Sequence, residues 1–394
     1  MRKLASIQKI EKLEPISGKD RIVLATVEGW QVIVQKDQFI PGEKCVYIEI
    51  DSVLPKDNEN FKFLEQRGYR IKTLKMGGVY SQGICFPLSI LPQRERGYDI
   101  GDDVTEILGI KHYDEYKDEL ALQKQLDSNR TESKELKKKI MKFMFSHKRT
   151  RPLALKLFTN ATKRERAGFP DFVSKTDETR IQNMPQILER KDIKYSITEK
   201  LDGSSCTYAL KRNKGFMSLF HPFEFYVCSR NIRVFDKNTF YWQMAKKYDI
   251  ENVLKNIIDH REWIAIQGEC IGEGIQGNMY KMHEKDLYVF NVRIPDWKDE
   301  DFQVIMDSLE AKALVEAHGM KFVPILETDY VLPDTVNEMI SYASGKSVIN
   351  PEVMREGLVL RNSKHEISFK AVSNDYLMLK QKAEEKEEAE ANAA

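Results

Sequence analysis

The sequence predicts an α+β chain: a small N-terminal β-barrel, a basic helical segment, then a larger domain of mixed strands and helices. Three observations carry this. Residues 1–110 hold short runs with two-residue alternation, punctuated by Gly and Pro. Residues 111–165 change to helical spacing with clustered lysines. Residues 166–381 mix strand-like and helix-like runs with no repeat at a fixed period, and 382–394 is an Ala/Glu/Lys-rich stretch that reads as a flexible tail, either a fraying helix or disordered.

The 394 residues have room for about two or three domains. Lys and Arg number 62 against 61 Asp and Glu, so the net charge does not announce a nucleic-acid binder, and any basic surface must be local. The five cysteines are odd in number and form no Cys-x-x-Cys pair, which speaks against a disulfide framework and a zinc site. The seven histidines fall at no metal-ligand spacing. With neither a signal peptide nor a run apolar enough to span a bilayer, a reducing cytoplasmic compartment is the expectation, and separately the chain is expected to be a monomer.

In the first region, Ile22–Val27 and Gln31–Val34 flank Glu28-Gly29-Trp30 as a hairpin. Pro41-Gly42 precedes Lys44–Ile50, where Cys45, Tyr47 and Glu49 alternate with Val46, Ile48 and Ile50. Arg70–Leu74 and Val79–Phe86 supply further strands around Gly77-Gly78. Some five short strands in this span predict a small closed barrel such as an OB-fold. Arg67, Arg70, Lys72 and Lys75 interleave with Tyr69 and Tyr80, a pattern that suits an RNA-docking face; a solvated strand edge would look the same.

In the connector, Ser133 is a candidate N-cap, and Leu136, Ile140 and Phe143 recur at helical spacing among Lys137, Lys138, Lys139 and Lys142. A solvated helix face and a phosphate-contacting one both fit. Beyond it, strands are expected at Ser196–Thr198, Phe225–Ser229, Trp263–Cys270, Leu287–Arg293, Gly357–Arg361 and Glu366–Ala371. Helices are expected at Lys237–Tyr248, Ile250–Asp259 and Phe302–His318.

Chemistry concentrates on Thr198-Glu199-Lys200-Leu201-Asp202-Gly203-Ser204-Ser205, just after a short strand. A lysine two residues before Asp-Gly sits beside a tight turn and a carboxylate. To act as a nucleophile its amine must lose a proton, so its pKa must be pulled down by burial, other cations or a metal. Downstream, Arg230 closes Val227-Cys228-Ser229, and Glu269 stands alone in an apolar strand. Phe290 lies on the next strand, Glu356 precedes Gly357–Arg361, and Lys370 follows Ile367-Ser368-Phe369. Singly each has a bland reading as a strand-end charge or core aromatic. The order Lys, Arg, Glu, aromatic, Glu, Lys on successive strands is hard to obtain by accident.

This set resembles nucleotidyltransferase motifs I, Ia, III, IIIa, IV and V of the polynucleotide ligase and mRNA-capping superfamily. The whole chain resembles an ATP-dependent RNA ligase of the Deinococcus/Naegleria type. Supporting stretches are Gly77–Gly83, Lys175–Asn183 and Ile271–Asn278. The resemblance implies an OB module joined to a nucleotidyltransferase (ATP-grasp-like ligase) domain with antiparallel sheets. Two departures stand out. Ser368 occupies the place of the first lysine of the family's Lys-x-Lys, and an extra loop around 211–223 lengthens the spacing from Lys200, favouring Arg230 over Arg212 as the motif arginine. No C-terminal OB domain is expected after motif V.

By that resemblance Lys200 attacks the α-phosphorus of ATP to give lysyl-AMP. The AMP passes to an RNA 5′-phosphate, and a 3′-hydroxyl displaces it, at nicks in duplexes. Asp202, Glu269 and Glu356 would attend a hydrated Mg²⁺ or Mn²⁺, and Lys370 would stabilise the α-phosphate. Phe290 would stack on adenine, Glu199 would contact its edge, and Arg230 would hold the ribose or the 3′ end. A capping-type guanylyltransferase and a non-catalytic RNA-binding protein remain alternatives. Gly272, Gly274 and Gly277 imitate a dinucleotide fingerprint, but follow a late strand, and Gly345-Lys346-Ser347 lacks the earlier P-loop glycine.

Overall fold

The computed structural model describes residues 3–113, 116, 168–296 and 302–393. The chain divides into two compact units, Met1–Arg166 and Ala167–Ala394. The basic helical connector expected at 111–165 lies outside the described residues except at its start, where Lys111–His112 forms a strand and not a helix.

The first unit contains β1 (Ala5–Ile16), β2 (Lys19–Val27), β3 (Trp30–Gln35), β4 (Lys44–Ile48), β5 (Ser52–Val53), β6 (Thr73–Met76), β7 (Val79–Gln82), β8 (Ile84–Phe86) and β9 (Lys111–His112). β1 is the hub of a sheet ordered β3-β2-β1-β4-β8. Its first half pairs with β4 and its second half with β2, and a register shift between Ile10 and Lys12 lets the strand bend to serve both. The Ile33 N–H donates to Ser81 Oγ at 2.9 Å, which draws β3 against β7 and curls the sheet into a barrel. Trp30 and Tyr47, 5.9 Å between ring centroids, fill its interior. The β4 residues Cys45, Val46, Tyr47 and Ile48 are all buried, so this strand is covered on both faces. The strand expected at Arg70–Leu74 starts later, at Thr73, because Tyr69 and Arg70 follow the left-handed Gly68 that closes a 3₁₀ segment, Glu59–Arg67.

The second unit contains two sheets. The first joins β10 (Thr179–Arg180), β11 (Tyr195–Lys200), β18 (Ile325–Tyr330), β19 (Gly357–Asn362) and β20 (Ile367–Val372) in the order β10-β20-β19-β11-β18. The second runs β13-β12-β14-β15-β16, with β12 (Ser204–Arg212), β13 (Phe223–Cys228), β14 (Trp263–Ile271), β15 (Asp286–Pro295) and β16 (Gln303–Ile305), and β17 (Lys321–Phe322) beside β15. Pairing is antiparallel except for β10 with β20 and β15 with β17.

Helices cover the sheets. α1 (Phe240–Lys247) and α2 (Ile250–Ile257) press Met244, Ile250 and Leu254 onto Cys206, Tyr208 and Leu210 of β12. Each such buried aliphatic side chain contributes about 1.5–3 kcal/mol. The helix expected at Phe302–His318 is shorter: Val304 and Ile305 pair with β15, and α3 (Ser308–Glu316) begins only after Asp307, whose side chain caps the Leu309 N–H. The sequence reading missed α4 (Val336–Ala343), although Thr335 and Glu338 form a full capping box, and α4 packs Met339 and Ala343 on the first sheet. α5 (Asn374–Ala393) continues as helix through the stretch read as a flexible tail.

Candidate active site

At Lys200 the chain leaves the first sheet, and at Ser204 it enters the second. Gly203 permits the crossing by close approach: a Cβ there would collide with the Cys270 carbonyl and lie 2.6 Å from Ile271 Cγ2. The motif therefore sits where the two sheets converge, and each sheet presents side chains to it.

Lys200 pairs in register with Gly357, which puts Glu356 beside it; Lys200 Nζ lies 2.7 Å from Glu356 Oε2. Across the junction Glu269 Oε1 accepts the Gly203 N–H at 3.1 Å. Burial pushes the Lys200 pKa down, but Glu356, Glu269 and Asp202 outweigh it and hold the amine above its ordinary value. The protein's own groups thus keep Lys200 as an ammonium: burial lowers its pKa as the sequence reading required, and the carboxylates outweigh it. Burial drives Glu269 up to about 8, against the pull of Lys200 and with Glu356 and Asp202 adding to the rise.

Asp202 is almost fully buried. Its Oδ1 accepts from Lys380 Nζ at 2.7 Å and its Oδ2 from the Tyr376 hydroxyl at 2.8 Å, while its N–H donates to the Tyr280 hydroxyl at 3.1 Å. Asp202 and Glu356 keep Lys380 protonated against the effect of burial. Sequence reasoning missed Tyr376 and Lys380. Their i, i+4 spacing on one helix face was the available signal.

Beside Lys200 opens a cleft. Lys200, Glu269, Arg230, Phe290 and Lys370 all line it. Arg212 does not; it donates to the carbonyls of Arg261 and Asp259. Glu199 reaches the cleft from β11, with Oε2 accepting the Val348 N–H at 2.8 Å and Oε1 buried with no hydrogen-bond partner among the described residues. A buried oxygen left without a donor is costly. The Gly345–Ser347 turn thus leads into the Glu199 contact, not a phosphate loop.

Two carboxylates of the Lys175–Asn183 stretch, unassigned from sequence, hold the cations. Asp177 Oδ1 lies 3.2 Å from Lys370 Nζ and 3.5 Å from Arg230. Glu178 Oε1 lies 2.9 Å from the buried Arg361. Burial pushes Glu178 up, yet Arg361, Ser368 and Lys370 hold it below the usual carboxylate range. Arg361 stands opposite Ser368 in register, so a guanidinium lies where the family's first motif V lysine is missing.

Among the described residues no group of three or more His, Cys, Asp or Glu side chains could hold a metal ion directly. The three carboxylates nonetheless fit a cation that keeps its own water: Glu356, Glu269 and Asp202 all act on the Lys200 amine, so three hard oxygen donors converge on one point.

In the first unit the four basic candidates differ. Arg67 is exposed at the end of its 3₁₀ segment. Arg70 turns inward, 3.5 Å from Asp51 and 3.4 Å from the Tyr113 ring centroid. Lys75 lies over Tyr80 and bonds its hydroxyl at 3.1 Å, and Lys72 is half-buried.

A family profile described as an OB-fold domain matches residues 4–88, and one described as RNA ligase matches residues 193–372. No curated protein matches the chain. Among solved structures, Naegleria gruberi RNA ligase with PPi is 31% identical at a TM-score of 0.72, with 96% of this chain and 98% of that one covered. A lysine-to-alanine mutant of the same ligase with ATP and Mn is 30% identical, covering 95% and 98%, also at 0.72. A glutamate-to-alanine mutant with AMP and Mn is 30% identical, covering 96% and 98%, at 0.71.

Proposed function

The chain belongs to the RNA ligase family, and on that premise we propose that it is an ATP-dependent ligase that seals 3′-hydroxyl and 5′-phosphate RNA ends at nicks. The observation that carries this reading is Lys200 at the junction of the two sheets, facing a cleft lined by Glu199, Phe290, Arg230 and Lys370.

Lys200 Nζ attacks the α-phosphorus of ATP, an N–P bond forms, and pyrophosphate leaves with the electrons of the P–O bond. Glu356 receives the Lys200 proton or shares it until solvent takes it, since it already bonds Nζ. Glu199 accepts the exocyclic amine of adenine, and Phe290 stacks on the ring. Lys370 exchanges Asp177 for the α-phosphate oxygens, and Arg230 leaves the same carboxylate for the ribose or the 3′ end. A Mg²⁺ or Mn²⁺ held through its water by Asp202, Glu269 and Glu356 would supply positive charge that favours the neutral amine. In the later steps the AMP passes to the RNA 5′-phosphate, and the 3′-hydroxyl displaces it. Arg67, Lys72 and Lys75 bring the duplex backbone to the first unit.

The test incubates the protein with Mn²⁺ and ATP labelled at the α-phosphate, then resolves it on a denaturing gel before and after adding nicked RNA. The expected result is a covalent label that chases into sealed RNA. Label taken from GTP alone, or none from either nucleotide, overturns the proposal.

A further inference from the structure

We propose that Lys380, with Tyr376, is a positioning residue of the adenylylation site, a built-in counter-cation that fixes the Asp202 carboxylate and sets how strongly the acidic cluster draws a divalent ion. This rests on the divalent-ion reading of Asp202, Glu269 and Glu356.

The contact is specific. Both carboxylate oxygens of Asp202 are used by a single helix face, Oδ1 at 2.7 Å from Lys380 Nζ and Oδ2 at 2.8 Å from the Tyr376 hydroxyl. Tyr376 is 1% exposed and Asp202 is buried, while Lys380 is partly buried and reaches in to them. The helix is tied to the site at its start too. Ser373 is fully buried, its N–H donates to the Glu356 carbonyl at 2.9 Å, and its Oγ caps the Tyr376 N–H at 3.2 Å. α5 is thereby joined to the residue that holds Lys200 as well as to the aspartate two positions beyond it.

The charge arithmetic follows. Asp202, Glu269 and Glu356 carry three potential negative charges; Lys200 and Lys380 are the cations hydrogen-bonded to two of them. Removing Lys380 frees Asp202 and deepens the negative potential, so a divalent ion should bind more tightly to a cluster that is less well ordered for chemistry.

The experiment measures Mn²⁺ binding to the full chain by calorimetry without nucleotide, for wild type, Lys380→Met, Lys380→Arg and Tyr376→Phe. Lys380→Met should bind Mn²⁺ about threefold or more tightly, and should form lysyl-AMP more slowly at saturating metal. Lys380→Arg should return both to wild type, and Tyr376→Phe should leave the Mn²⁺ affinity unchanged. Unchanged, weaker or undetectable Mn²⁺ binding by folded Lys380→Met overturns the inference, as does tightening by Tyr376→Phe. If Lys380→Met does not fold, Lys380→Gln, which keeps a donor for Asp202 and removes the charge, is judged by the same criterion. Failure of the ligase reading would appear separately, as absent AMP labelling of the wild type.

Discussion

Lys200 Nζ lies 2.7 Å from Glu356 Oε2, so the candidate nucleophile rests as an ammonium paired with the residue that leads into β19. The pair also aligns the amine, since Lys200 and Gly357 are direct partners across the two strands.

Lys200→Ala should reduce AMP labelling and RNA sealing to background. Lys200→Arg should do the same while keeping a cation for Glu356, so its melting temperature should stay within a few degrees of wild type. A labelled band in either mutant, read by gel autoradiography, would remove Lys200 from the nucleophile role.

Glu269→Ala and Glu356→Ala should each raise the Mn²⁺ or Mg²⁺ concentration needed for half-maximal adenylylation. The two carboxylates converge on Lys200 from different sheets, and each contributes charge to the same cluster. Wild-type curves for both across a metal titration would refute the metal role.

Glu269 also predicts a pH dependence. The folded protein holds its proton up to about 8, whereas an ordinary carboxyl group releases it near 4.5. Between those values the native state binds more protons than the unfolded one, so stability falls as pH rises through the window. Glu269→Gln should flatten this slope by at most about 1.4 kcal/mol per pH unit. Urea titrations at pH 5, 6.5 and 8 without divalent metal would test it, and equal slopes for mutant and wild type would count against it.

Glu178→Gln should lower stability by about 3 kcal/mol at pH 7, because it strands the buried Arg361 guanidinium. Glu178 titrates below its ordinary value in the fold, so its stabilisation is present above about pH 4.5 and is lost as pH falls through the folded value. The wild-type advantage over Glu178→Gln in denaturant midpoint should therefore shrink on acidification. An advantage that grows on acidification would contradict the assignment.

A fragment of residues 167–394 should still form lysyl-AMP but seal nicked RNA at least tenfold more slowly at limiting RNA. Every candidate for the first step lies in that unit, while Arg67, Lys72 and Lys75 lie in the other. Circular dichroism would establish that the fragment is folded. Sealing at the full-length rate would then refute a docking role for the barrel.

The sequence by itself determined the residue types, their order and most of the strands that carry them. Those are local properties: β11 opens on a short alternating run, β14 and β19 are largely apolar runs, and Lys-x-Asp-Gly is a contiguous signature. Tertiary structure decided what the charges do, because electrostatics depends on distances between residues far apart in the chain. Asp202 meets Lys380 across 178 positions, and Lys200 meets Glu356 across 156. The Lys200 pKa is set in this way, since the three carboxylates that meet at the sheet junction outweigh the burial of the amine. The same holds for Arg70, which alternation placed on an open basic face and which packs instead against Asp51 and Tyr113. A strand period says which side of the pleat a residue takes; only the folded neighbours decide whether a charge there meets solvent, a ligand or another charge.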